Sequence, residues 1–109
     1  MLEVPINNSA HFFIGQQVTH RLFNYRGLVV DVDPEFSGTE EWYRNMARSK
    51  PPKDAPWYHL LVHGADHTTY VAERNLDEYE GTDFIDHPML PVFFDGFKDG
   101  VYQPKRNLN

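Results

Sequence analysis

A small, mainly antiparallel β-barrel is the fold class predicted for this chain of 109 residues. Three features lead there. Short β-branched or aromatic runs recur at close spacing, one brief stretch carries helix capping and charge, and no helix alternates with the strands as a parallel sheet would need.

The elements follow in chain order. Residues 1–11 are polar and end-like, so a flexible N-terminal segment is expected there, followed by a single domain over 12–109. Residues 12–33 read as a hairpin: FFIGQQVTHRLF, a turn NYRG using Asn24 and Gly27, then LVVDVD. A period of two puts Leu28, Val30 and Val32 on one face, the expected core face, and Val29, Asp31 and Asp33 on the other. Pro34 ends the strand because it cannot donate to a ladder.

The next stretch, 34–56, is a long excursion for so small a domain, and such loops are usually functional or mobile. It holds one short helix, TEEWYRNMARSK, capped by Ser37 or Thr39. Glu40 and Glu41 in its first turn and Arg44, Arg48 and Lys50 towards its end suit the helix dipole. Trp42, Tyr43 and Met46 stand three and four apart and would form one aromatic face. WYHLLV is a buried strand by composition, HGADH a turn, and TTYVAE its hairpin partner. NLDEYEGTDFIDH carries five acids and no base between positions 77 and 86. From about residue 84 the Pro and Gly content predicts an irregular C-terminal segment, whose Phe93, Phe94, Phe97 and Tyr102 must still pack on something.

Composition narrows the function. Cysteine is absent, so there is no disulfide framework and no thiolate chemistry. The start MLEVPINNSAHFF lacks a secretory pattern and no run of about eighteen apolar residues occurs, so a cytoplasmic protein with no membrane partner is expected. A net charge of −6 repels nucleic acid on average, which leaves room only for a local basic patch.

Three blocks, FFIGQQVTHRLFNYRGLVVDVDPEF, APWYHLLV and TTYVAERNL, resemble in order the conserved blocks of the YccV-like family over roughly residues 12–76. That family includes heat-shock protein Q and is also called the hemimethylated-DNA-binding domain. Matching positions are His20, Arg26, Gly27, Asp31, Asp33, Pro34, Trp57, Tyr58, His59, Tyr70, Glu73 and Asn75. The resemblance implies an SH3-like barrel without catalytic activity. It also implies two roles: helping ATP-dependent proteases handle substrates in the heat-shock stress response, and binding hemimethylated DNA near replication origins. The tail from Phe84 onward departs from the shorter, more basic tails of heat-shock protein Q.

Residue chemistry points the same way. Asp31 and Asp33 on one strand face would hold their carboxylates about 6–7 Å apart, a spacing that paired glycosidase acids also use. Such enzymes need a sugar-sized cleft that nothing here frames, so the acids read as a solvated strand end, with Asp33 capping the turn, or as recognition residues. No metal is expected: on a strand His59 and His63 would stand about 13 Å apart, and His63 with His67 has no supporting thiolate or HExxH pattern. His20 and His59 fit better as hydrogen-bonded members of the barrel wall. Ser9, Ser37 and Ser49 lack a nucleophile elbow, and no cofactor signature is present.

The expected function is therefore a non-enzymatic adaptor whose partners are an ATP-dependent protease or its substrates. Its protein-interaction residues would be Asp31, Asp33, Glu35, Trp42, Tyr43 and Met46, together with an exposed strand edge. The alternative partner is hemimethylated DNA, held by Arg21, Arg26, Arg44, Arg48, Lys50 and Lys53 with Trp57 stacking on a base. An exposed edge also permits a homo-oligomer.

Overall fold

The computed structural model describes residues 10–106. Strands β1 (Gln17–His20) and β2 (Arg26–Asp33) form the first hairpin, with Val18 opposite Gly27. Asn24 turns the chain at a φ of 57°, in the left-handed region that Asn tolerates. Gly27 is not part of that turn. It lies inside β2, where a Cβ would stand 3.2 Å from the Leu60 side chain, so its smallness serves close packing.

Strand β3 (Trp57–Val62) pairs with the far side of β2, and β4 (Thr68–Ala72) returns beside it after a tight turn at Gly64. A 3₁₀ turn over Glu73–Asn75 leads into β5 (Leu76–Glu78), which pairs with β1. The acidic composition of this three-residue strand hid it from periodicity.

The five strands lie in the order β4-β3-β2-β1-β5, all antiparallel. Edges of a flat sheet this wide would stand about 19 Å apart. Four residue steps, from Ala72 to Leu76, reach at most about 14 Å. The sheet must therefore roll, and the 3₁₀ turn joins its two edges. The fold is mainly β, as predicted, and roughly SH3-like in arrangement. Its hydrogen-bonded ladder nevertheless does not close into a barrel, since β4 and β5 each pair on one side only.

The predicted core face of β2 needs correction. Between Val29 and Asp31 the register slips by one residue, because Val29 and Asp31 face consecutive residues of β3, Leu60 and His59. Val30 is the extra residue of a bulge, and the bulge resets the alternation. Val29 and Val32 consequently join the inner core with Phe12, Val18, Tyr58, Leu60, Val71 and Leu76. Leu28 and Val30 belong to a second cluster on the outer face. β3 is buried on both sides, so its composition reads as continuously apolar.

Two segments cover the outer face. At one end the excursion brings Phe36, Trp42 and Tyr43 onto Trp57, Ala72 and Tyr70. Its helix α1 (Glu40–Met46) is shorter than predicted; Thr39 Oγ1 accepts from Trp42 N at 3.0 Å as its cap, and Arg48 and Lys50 lie beyond its end. At the other end the segment expected to be irregular from about 84 becomes regular from Leu90 onward. Helical turn α2 (Leu90–Phe93) precedes β6 (Phe94–Lys98) and β7 (Val101–Pro104), a two-stranded hairpin. Asp99 and Gly100, at φ 54° and 87°, make its two-residue turn of the primed kind. Phe94, Tyr102 and Ile85 then seal Leu28 and Leu61.

The chain entering β1 is tied down. His11 N and Phe12 N both donate to the Tyr58 hydroxyl, at 3.1 and 3.2 Å, and that hydroxyl donates to Glu73 Oε1 at 2.5 Å. Of the segment expected to be flexible over 1–11, His11 is held by these bonds and residues 1–9 lie outside the described residues.

Candidate functional site

Between the two covers a strip of the outer face carries polar groups. Cross-strand pairing sets Asp31 opposite His59 and His59 opposite Tyr70. The Tyr70 hydroxyl donates to Asp33 Oδ2 at 2.6 Å and accepts from Ser37 N at 3.0 Å. His59 Nε2 lies 3.1 Å from the same carboxylate oxygen. Burial first, and then the bond to Asp33, raises the pKa of Tyr70, so the phenol keeps its proton and serves as donor.

Asp33 is therefore an anchor that ties β2, β3, β4 and the start of the excursion together. Its Oδ2 makes these cross-strand bonds. Asp31 is exposed and accepts from its neighbour Val32 N at 2.9 Å. Ligand atoms of Asp31, Asp33 and His59 lie within 4.8 Å of one another, closer than the strand estimate, beside the bulge. Two carboxylates and an imidazole could hold a cation, which would compete with Asp33 Oδ2 for the His59 ring nitrogen. His63 and His67 lie outside this cluster: His63 Nδ1 accepts from Asp86 N, and the His67 carbonyl meets His87 Nε2.

Around the edge of β4 runs an open groove of about 470 Å³. Trp42, Met46 and Arg48 of the excursion form one wall; Leu22, Phe23 and Tyr25 of the first turn form the other. All five residues of β4 line it. Leu22, Phe23 and Met46 are 58%, 71% and 62% exposed, so apolar surface stands open on both sides of the strand. A bond between Tyr25 Oη and Thr69 Oγ1, at 2.7 Å, pins the first-turn wall to β4. His20, at the base of that wall, accepts from Leu22 N and Phe23 N through Nδ1, and burial lowers its pKa.

Of the residues predicted to meet a protein, Met46 is open, Trp42 and Tyr43 are half-buried against Trp57, and Tyr43 donates to the Pro51 carbonyl at 2.6 Å. Asp31 and Glu35 are exposed but do not line this groove. Sequence reading missed Leu22 and Phe23, and expected an exposed strand edge without assigning it to β4. A signal existed: two large apolar residues fill a turn that has no core to bury them.

The residues predicted to hold DNA are scattered. Arg21 pairs with Asp77 at 3.6 Å, Lys53 with Glu40, and Arg26 bonds Gln17 while lying over the Tyr79 ring. Trp57 is 1% exposed and offers no face to a base. Arg44, Arg48 and Lys50 make no side-chain ion pair among the described residues.

A family model described as "Hemimethylated DNA-binding protein YccV like" matches residues 10–101. The chain belongs to the YccV-like family. That match runs well past the 12–76 of the conserved blocks and takes in α2, β6 and the start of β7. The C-terminal cover is thus part of the YccV-like domain. Among the described residues no helix of this YccV-like chain is long and apolar enough to cross a membrane.

Proposed function

We propose that this YccV-like protein is a non-enzymatic adaptor of cytoplasmic protein quality control, delivering polypeptides to ATP-dependent proteolysis. One observation carries the reading: an apolar groove lies along a strand edge that, among the described residues, has no partner strand. An edge strand offers main-chain donors and acceptors, and flanking apolar walls offer burial, which is what an unfolded segment lacks in water. The acids offer little for catalysis, because Asp33 is held by Tyr70 and His59 and Asp31 stands in the open. A heat-unfolded substrate should be degraded faster by its host's ATP-dependent protease when the protein is added. The Phe23→Asp, Met46→Asp double variant, altered only at exposed positions, should lose that stimulation; unchanged turnover with both proteins would sink the proposal.

The family description and Arg44, Arg48 and Lys50, which make no side-chain ion pair among the described residues, favour a second reading, binding of hemimethylated DNA. Three phosphate contacts would give a log–log salt slope of about −3, and replacing Arg44 and Arg48 by Gln should flatten it. The acidic net charge and the pairing of Arg21 and Lys53 place this reading second.

A further inference from the structure

Resting on the adaptor reading, we infer the chemistry of the segment this groove takes: an extended polypeptide, apolar on both faces, bound antiparallel to β4 as a sixth strand, with an acidic residue just before its apolar run. The backbone supplies the first part. Val62 N donates to the His67 carbonyl and Glu73 N to the Pro56 carbonyl, so the hydrogen-bonded pairs between β3 and β4 include Leu60 with Thr69 and Tyr58 with Val71. The main-chain groups of Thr68 and Tyr70 consequently point away from β3, and among the described residues β4 has no partner strand on that side. An added strand would meet them over a length of about 17 Å, five residues.

The walls supply the second part. Successive side chains of any strand project to opposite faces. Here one face would meet Trp42 and Met46, and the other Leu22, Phe23 and Tyr25. A half-polar segment, the kind that forms a solvated sheet surface, would bury polar groups against one wall without partners. A segment apolar on both faces is ordinarily the interior strand of a folded protein, exposed only when that protein unfolds.

Charge supplies the third part. Among the described residues Arg48 is the only Lys or Arg lining the groove, and neighbouring Ser49 bonds Arg74 and Asn75, which places this cation near the Ala72 end of β4. Every strand pair in the sheet is antiparallel. An antiparallel occupant sets its own N-terminal end beside Ala72, so its carboxylate belongs before the apolar run.

The test uses fluorescent synthetic peptides with a neutral polyethylene glycol tail and the full chain. The peptide with an acidic residue followed by five apolar residues should bind at least tenfold more tightly than versions with alternating polar residues or with the acid moved to the other end. N-methylation of the residues whose NH groups face β4 should abolish binding, while N-methylation of the alternate residues should not. Arg48→Glu should reverse the preference towards a leading lysine. Equal binding of both N-methylated forms would overturn strand addition, as would full displacement of the peptide by hemimethylated duplex or a self-associated dimer that peptide cannot dissolve. Peptide binding without faster proteolysis would leave this inference standing and remove the adaptor reading; faster proteolysis with no N-methyl discrimination would do the reverse.

Discussion

The two covers of the outer sheet face solve the same problem in opposite ways. The C-terminal cover lays Phe94 and Tyr102 over Leu28 and Leu61 and leaves those four residues buried. The excursion buries Trp57 equally well but holds its own rings half-open and stops short of the β4 edge. It is fastened by polar bonds: Tyr43 to the Pro51 carbonyl, Trp57 Nε1 to the Pro52 carbonyl, Arg74 to the Ser49 carbonyl. One cover is built to exclude water; the other frames a surface. Hydrogen bonds, which tolerate exposure, let the framing segment stay in place beside the core without sealing its own rings.

That contrast should show in mutants. Phe94→Ala, which opens the sealed cover, should cost about 3–5 kcal/mol in denaturant unfolding, whereas Met46→Ser on the open cover should stay within about 0.5 kcal/mol. Similar costs for the two would erase the distinction. Tyr58→Phe removes the hydroxyl shared by His11 N, Phe12 N and Glu73, and should cost about 1–3 kcal/mol because Phe12 N is then buried without a partner. Thr39→Ala removes the cap of α1 and should cost about 1 kcal/mol, seen chiefly as faster amide exchange in residues 40–46.

The smallest effect is pH-dependent. Burial lowers the pKa of His20 in the folded chain below its ordinary 6.5, so the unfolded chain binds the proton more readily. The neutral-ring contribution is complete above about 6.5 and is lost as the pH falls from there towards the folded value. Protonating Nδ1 would also end its bonds from Leu22 N and Phe23 N, loosening the first-turn wall of the groove. His20→Asn, which retains an acceptor and cannot titrate, should flatten this part of the unfolding profile between pH 5 and 7.5. An unchanged slope would assign the effect to other groups.

Much of the fold was legible. Pro34 stopped β2, Thr39 capped α1, and WYHLLV declared a strand buried on both sides. The Asp99–Gly100 turn was also written plainly, yet the surrounding Pro and Gly drew attention from it and the hairpin was missed. The face assignment of β2 failed for a different reason. A bulge at Val30 depends on pairing with β3, and no local pattern announces it.

What the chain determined by itself was its first four strands, its capping and turn chemistry, its acidic charge and the aromatic residues available for a core, because these follow from steric and polar preferences within a few residues. The tertiary structure alone decided that Asp33 would anchor an excursion, that basic side chains would be spent on acids, and that Leu22, Phe23 and Met46 would flank one strand edge. Those outcomes depend on rolling the sheet until distant segments meet. Rolling is set by strand pairing and chain reach together, and neither is a property of any single stretch of sequence.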